Sequence, residues 1–139
     1  MCSLRMSFIH GIVGIAMLAG VAVAADGKAI FRGVALDADT GALKWTFQFT
    51  PHDEFDYDST QVPVLADITW QGRPRKVLML ANRNGFFYVL DRRDGRLLSA
   101  EKLGPVSWAE RIDIASGRPV ENPAARYPHG EGEITPSGA

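Results

Sequence analysis

Val34-Ala35-Leu36-Asp37, followed by Gly41 and Leu43, returns 54 residues later as Tyr88-Val89-Leu90-Asp91, followed by Gly95 and Leu97. A third, partial copy is Ile112-Asp113 with Gly117. A recurring strand, acidic turn, glycine and strand is typical of radially repeated sheets, because each sheet buries its apolar faces only against its neighbours. Hairpins with Asp-x-x-x-Gly also occur in unrelated β-proteins, but two full copies and a partial one favour repetition.

Short apolar runs separated by turn residues fill the segment around these repeats. They lie at 34–36, 43–49, 62–70, 76–80, 86–90 and 96–98. No stretch keeps a 3.6-residue period of useful length, so helices are not expected. Asn84-Gly85 between two apolar runs predicts a type I′ hairpin, in which both central residues have positive φ. The sequence therefore predicts antiparallel all-β structure over residues 30–110, with one complete four-stranded sheet and part of a neighbouring one.

The two ends of the chain differ from this central part. Residues 11–23 are small and apolar, and Ala22-Val23-Ala24 has the small-x-small pattern that signal peptidase accepts. We expect a signal peptide at 1–24 and a periplasmic domain at 25–139. An uncleaved anchor is the alternative, although the apolar run is shorter than the ~18 residues of a membrane span. Glycines and prolines predict an irregular tail from about residue 116, which ends without a closing strand or helix.

Composition limits the function classes. The only cysteine, Cys2, lies in the predicted signal peptide, so the mature chain has no disulfide. The mature chain carries 14 basic and 16 acidic residues, because the predicted signal contains Arg5 and no acidic residue. This balance gives no indication of nucleic-acid binding. We also expect no membrane span after signal cleavage.

The densest polar cluster is Pro51-His52-Asp53-Glu54-Phe55-Asp56-Tyr57-Asp58. Four carboxylates within six residues repel one another unless solvent or a cation neutralises them. Hard oxygen ligands suit a calcium-like ion, and on an extended backbone Asp56 and Asp58 point to the same side. A solvated acidic loop is the alternative that composition alone favours. His52 by itself makes neither a zinc site nor a catalytic triad.

A second polar cluster is Asn82-Arg83-Asn84-Gly85, at the predicted hairpin tip. An arginine in this position is usually exposed, but at the mouth of a propeller it can reach a central ligand and hold an anionic or carbonyl oxygen. Trp45, after the first glycine, is most simply explained as a packing residue between sheets.

Together these motifs resemble the quinoprotein alcohol dehydrogenases, which use pyrroloquinoline quinone (PQQ). Residues 35–45 are similar to the tryptophan docking motif that joins adjacent blades in that family. Residues 50–58 resemble the active-site loop, in which the family usually has Trp where this chain has Phe55. The similarity continues through residues 75–92, Trp108 and Gly117-Arg118-Pro119-Val120. The resemblance implies antiparallel blades of an eight-bladed β-propeller, here truncated.

The resemblance also implies roles for three residues. Asp56 falls on the catalytic aspartate, which takes the proton of a primary alcohol and binds the metal ion. Asp58 falls where lanthanide-using members have an extra metal-binding carboxylate, so the implied ion is a lanthanide or calcium. Arg83 falls on the arginine that contacts PQQ and stabilises negative charge on its oxygen. The family further implies a small alcohol as substrate and a cytochrome c as electron acceptor.

The chain departs from the family in what accompanies these residues. A mature chain of 115 residues holds about two blades of ~40–50 residues. The upstream metal ligands, the tryptophan below PQQ and the adjacent-cysteine disulfide have no counterpart. We therefore expect a dehydrogenase fragment that is inactive alone. A non-catalytic PQQ-repeat binding or assembly module, and a gene remnant without function, are the alternatives.

Overall fold

The computed structural model describes residues 15–23, 29–126 and 134–136, and this part of the chain is antiparallel β-structure. The first sheet contains β1 (Ile15–Val23), β2 (Ala29–Asp37) and β3 (Leu43–Phe47) in that order. The second contains β4 (Val64–Trp70), β5 (Arg73–Ala81), β6 (Phe86–Asp91) and β7 (Leu97–Lys102), also in chain order. The third contains β8 (Ala109–Ile112) and β9 (Pro119–Glu121), followed by a 3₁₀ helix at Pro123–Ala125. The predicted four-stranded sheet with part of a neighbour is confirmed.

The core lies where the three sheets meet. β6 is apolar along nearly its whole length, and all of its residues are buried except the half-buried Phe87, so side chains on both faces of the strand are covered. This explains why its sequence reads as a continuous apolar run instead of alternating. Aromatic side chains from the first sheet and from the following loop complete the core; they are Trp45, Phe49, Phe55 and Tyr57, with Trp108 from the segment before β8.

The three Asp-x-x-x-Gly segments fold as three copies of one turn. In each, the glycine N–H donates to the aspartate carbonyl, at 2.8 Å for Gly41, 2.9 Å for Gly95 and 2.8 Å for Gly117. The aspartate N–H in turn donates to the carbonyl of the residue after the glycine. All three glycines have φ near 70°, a conformation that costs most other residues energy. The repeat seen in the sequence is therefore a structural repeat.

Trp45 joins the first sheet to the second. Its indole Nε1 donates to the carbonyl of Arg92 at 3.0 Å, and its ring lies flat against Gly95 in the second turn. A Cβ added at Gly95 would lie 2.6 Å from Cε3 of Trp45, so only glycine allows this approach. Phe47 approaches Gly117 of the third turn in the same way. Aromatic side chains of β3 therefore dock on the glycines of both other sheets.

Two local features differ from what the apolar runs indicate. The β4–β5 connection is a two-residue turn at Gln71-Gly72, where φ is 49° and 74°, so β5 begins at Arg73, ahead of the apolar run at 76–80. Pro74 lies in β5, opposite Thr69 of β4. This position is next to the end of the strand, where proline is tolerated. The segment after residue 116 is not wholly irregular, because the third turn closes a hairpin that ends in β9.

The predicted signal peptide falls largely outside the described residues, since residues 1–14 and 24–28 are not among them. Residues 15–23 form β1, which pairs with β2 along its full length. Signal peptide and cleavage after Ala24 therefore stay predictions. Within the described ranges, no helix has the length and apolar character needed to cross a membrane.

A buried carboxylate, Asp91, ends β6 and fixes the second turn. It accepts hydrogen bonds from Arg93, through the side chain at 2.9 Å and 3.1 Å and through the backbone N–H at 3.0 Å, and from Arg75 at 2.8 Å. The Arg93 side chain foremost, and then its N–H and Arg75, hold the pKa of Asp91 well below its ordinary value of 3.8, against the opposing effect of burial. The charge of Asp91 thus stabilises the turn that receives Trp45.

Replacing Gly95 with alanine tests the docking of Trp45. Gly95→Ala adds a methyl group against the indole as well as backbone strain, so we expect a loss of about 2–4 kcal/mol of unfolding free energy. Gly41→Ala is the matched control, because Gly41 has a similar φ and nothing within 4 Å of the added Cβ; it costs only the ~1 kcal/mol of strain. Urea denaturation measures both. Equal losses would contradict the proposed packing role.

Replacing Asp91 with asparagine tests the buried charge. At pH 7 we expect Asp91→Asn to cost about 1–3 kcal/mol, since hydrogen bonds to two arginines lose their charge. Because the pKa of Asp91 is lower in the folded than in the unfolded state, its charge stabilises the fold fully at pH values above the unfolded pKa of 3.8. This stabilisation is lost as the pH falls from there toward the folded pKa. The difference from the wild type should therefore shrink between pH 5 and the acid limit of folding. Urea denaturation across this range measures it, with the exposed Asp94→Asn as control; a constant difference would contradict the assignment.

Candidate functional site

The acidic loop after β3 is anchored by two aromatic side chains that alternate with carboxylates. Phe55 and Tyr57 are buried, and their ring centroids lie 5.9 Å and 5.8 Å from that of Trp108. The residue between them, Asp56, is exposed, and Asp58 is half-buried. Burial of the rings therefore fixes where the loop runs and leaves the carboxylate of Asp56 at the surface.

The backbone of this loop is not extended at Asp56. Asp56 has φ of 59°, in the left-handed region that aspartate visits more readily than most residues. The expectation that an extended backbone brings Asp56 and Asp58 to one side is therefore wrong, because the backbone at Asp56 is not extended. The two carboxylates are instead related by a local turn.

Asp53, which the sequence did not single out, forms this turn. Its Oδ1 accepts from the N–H of Phe55 and its Oδ2 from the N–H of Tyr57, both at 2.9 Å. Burial raises the pKa of Asp53, the two N–H groups oppose that rise, and the negative charges of Asp56 and Asp58 add to it. The three carboxylates are therefore close enough to interact electrostatically.

Arg126 holds the start of the loop from outside. Its guanidinium donates to the carbonyls of Pro51 and His52, and it forms salt bridges with Glu121 at 2.6 Å and Glu54 at 3.6 Å. It also lies over the ring of Phe55, 5.8 Å from the centroid. Nothing in the local sequence connects residue 126 with residues 51–55, so sequence reasoning missed this contact.

The hairpin that carries Arg83 is not of type I′. Only Gly85, with φ of 91°, has positive φ, and the N–H of Gly85 donates to the carbonyl of Asn82 at 3.0 Å. This is a type I turn followed by a left-handed glycine, the usual three-residue hairpin loop. Asn84 therefore does not take the positive φ that a type I′ turn would require of it.

The carboxamide of Asn84 is completely buried and completely bonded. Its Nδ2 lies 2.9 Å from Tyr88 Oη, 3.1 Å from Thr50 Oγ1 and 3.3 Å from the carbonyl oxygen of Phe49, and its two hydrogens are shared among these three acceptors. Its Oδ1 accepts from the N–H of Phe86 at 3.2 Å. Asn84 thus ties the hairpin to the residues from which the acidic loop departs.

Asn82 makes the corresponding connection at the other end of the loop. It is buried, and its Nδ2 donates to Ser59 Oγ at 2.7 Å. Arg83, between the two asparagines, is half-buried. Burial, together with the charge of Asp53, raises the pKa of Tyr57 to about 12, and the positive charge of Arg83 opposes the rise. The structure therefore brings Arg83 next to the acidic loop, across 27 residues of sequence from Asp56.

The chemistry of the Asp56 and Asp58 carboxylates fits a hard cation. Asp56 and Asp58 make no hydrogen bond or salt bridge with any described residue, whereas Asp53 and Glu54 are bonded. Their oxygen atoms are of the type that calcium and lanthanide ions prefer, but such ions take about 6 to 8 ligands. Within the described ranges, no three His, Cys, Asp or Glu side chains form a metal-binding group. Asp56 and Asp58 thus fit as part of a ligand set.

Comparison with known proteins shows which family the chain resembles. Residues 30–110 match the family described as PQQ, glucose/ethanol/alcohol dehydrogenase, beta-propeller domain. The chain is 56% identical over 94 residues to quinohemoprotein alcohol dehydrogenase ADH IIB of Pseudomonas putida, covering 68% of this chain and 14% of that protein. It is 52% identical over 95 residues to 1-butanol dehydrogenase (cytochrome c) of Thauera butanivorans, covering 68% and 14%.

A solved structure supports the same relationship. A europium-containing methanol dehydrogenase superposes with a TM-score of 0.72 at 39% identity, covering 77% of this chain and 19% of the other. The chain thus spans about one seventh of the length of the two relatives named above. The match of residues 30–110, the antiparallel sheets and these identities show that the chain belongs to the PQQ-dependent alcohol dehydrogenase family of β-propellers.

Proposed function

We propose that this chain supplies part of the active site of a periplasmic PQQ-dependent alcohol dehydrogenase, with Asp56 and Asp58 at the metal ion and Arg83 at the cofactor. The observation that carries the proposal is the pair of side-chain hydrogen bonds, from Asn82 and Asn84, that hold Arg83 beside the acidic loop. A non-catalytic sheet module has no need to join an arginine to unneutralised carboxylates.

Each residue has a chemical task in this proposal. PQQ, when bound with its metal ion, supplies the electrophilic carbonyl that accepts hydride from a primary alcohol. The exposed carboxylate of Asp56 accepts the proton of the alcohol hydroxyl as the carbon loses hydride. The guanidinium of Arg83 donates hydrogen bonds to a cofactor oxygen and stabilises its negative charge. Asp58 adds a second charged ligand, which favours a trivalent lanthanide over calcium.

Further sheets complete the site in this proposal. On β4 and just before it, Val62, Val64 and Leu65 are 86%, 56% and 42% exposed. Apolar side chains this exposed along one strand are buried when a neighbouring sheet or partner packs on them. The same sheets would provide the remaining metal ligands and the walls around PQQ. A cytochrome c as electron acceptor is proposed from the relative named for it.

Terbium binding tests the metal ligands directly in this chain. Trp108 and Tyr57 lie beside the loop, so they can transfer excitation energy to a bound terbium ion. We expect saturable luminescence that Asp56→Ala and Asp58→Ala each weaken about tenfold, because each removes a charged ligand. Asp39→Ala, an exposed aspartate in the first turn, is the control and should bind as the wild type does. Wild-type affinity in both loop variants would contradict the assignment.

Activity is tested by transplanting residues 34–127 into a full-length relative that oxidises alcohols. We expect the chimera to turn over with PQQ and to prefer a lanthanide to calcium, and Asp58→Ala to reverse or abolish that preference. Asp56→Ala should lower kcat by about 10²-fold or more, as loss of a general base does. Dye-linked alcohol oxidation measures all three, and the isolated chain should show no turnover. An Asp56→Ala chimera as active as its parent would exclude the proposed role.

A further inference from the structure

Asp53 spans the backbone on both sides of Asp56. One carboxylate oxygen accepts from the residue before Asp56, Phe55, and the other from the residue after it, Tyr57, each at 2.9 Å. The two bonds together fix both peptide groups next to Asp56. No other side chain in the described part of the chain contacts these two N–H groups through a hydrogen bond.

This pair of hydrogen bonds explains how Asp56 keeps its left-handed backbone conformation. A left-handed conformation is strained for a residue other than glycine, although less so for aspartate than for most, and it persists where its surroundings stabilise it. Hydrogen bonds to a charged acceptor are stronger than those between neutral groups, so the two bonds of Asp53 stabilise Asp56 at φ of 59°. The buried rings of Phe55 and Tyr57 anchor the side chains on either side of Asp56, and the two hydrogen bonds of Asp53 hold the backbone N–H groups of the same two residues.

We propose that Asp53 is a positioning residue, whose carboxylate holds the loop in the one conformation that directs Asp56 and Asp58 toward a shared cation. The inference rests on the proposed function, because it gives the two carboxylates a ligand. Asp53 itself is half-buried and each of its oxygens accepts from one N–H group, so we assign it to the support of the loop and not to the ligand set.

Only a carboxylate suits this position. Two acceptor oxygens are required, one for each N–H group, and the carboxamide of asparagine offers only one. Asp53→Asn therefore keeps at most one of the two bonds and places an N–H₂ group against the other N–H. It also removes one negative charge from the loop, which by itself weakens cation binding.

The neighbouring residue provides the control for charge. Glu54→Gln removes the same charge one residue away, and Glu54 is exposed, with a 3.6 Å salt bridge to Arg126 and no bond to the loop backbone. The experiment compares terbium affinity and hydrogen exchange of the Phe55 and Tyr57 amides in the full chain. Asp53→Ser, a smaller residue with one acceptor oxygen, is a second variant should Asp53→Asn fail to fold.

We expect Asp53→Asn to weaken terbium binding at least tenfold and to speed exchange of the two amides, while Glu54→Gln weakens binding less than threefold and leaves exchange unchanged. Equal weakening in the two variants would mean that charge alone matters and would overturn the inference, with the proposed function intact. Unchanged amide exchange in Asp53→Asn would overturn it as well. Absence of terbium binding in the wild type would instead overturn the proposed metal site, and the inference with it.

Discussion

The buried carboxamide of Asn84 is the interaction on which the candidate site depends. Its two N–H hydrogens are shared among three acceptors, two of them in the residues that lead into the acidic loop, and the backbone carbonyl of Asn84 accepts from the indole of Trp108 at 2.7 Å. Loss of the carboxamide would take this partner from the N–H of Phe86 and the buried hydroxyl of Thr50, whereas Tyr88 Oη would keep its bond to the carbonyl of Phe49. The hairpin, the loop and the aromatic cluster are therefore held in one arrangement. The position of Arg83 follows from the hydrogen bonds of Asn82 and Asn84 on either side of it.

The fold was predictable because it repeats. Asp37, Asp91 and Asp113 stand at the same distance from their glycines, and the structure gives all three turns the same backbone hydrogen bonds. A local pattern that specifies a local turn can be recognised in a single sequence. The partners of these turns are less accessible, since the contact of Trp45 with Gly95 joins residues 50 positions apart. The resemblance to a family with a tryptophan docking motif pointed to that contact, whereas spacing alone did not.

The site was predictable only in its chemistry. The sequence predicts Asp56, Asp58 and Arg83 as site residues, because carboxylates suit a hard cation, an arginine suits an anionic or carbonyl oxygen, and the family resemblance places these roles at these positions. It did not predict the backbone at Asp56, since a left-handed aspartate is set by the hydrogen bonds of Asp53. The hairpin at Asn84-Gly85 was assigned the wrong turn for a related reason. The Asn-Gly pattern indicates a turn residue at Asn84, whereas in the structure its side chain forms buried hydrogen bonds with Tyr88 and Phe86.

The four carboxylates of the acidic loop are sorted by how their charges are neutralised. Glu54 is paired with Arg126, and Asp53 is bonded to two backbone N–H groups. Asp56 and Asp58 have no such partner among the described residues. A loop selected only for solubility would have no reason to stabilise two of its charges internally and leave an adjacent pair to repel each other. The uneven distribution agrees with the proposed metal site, because the charges left unneutralised by the protein are those that a cation can neutralise.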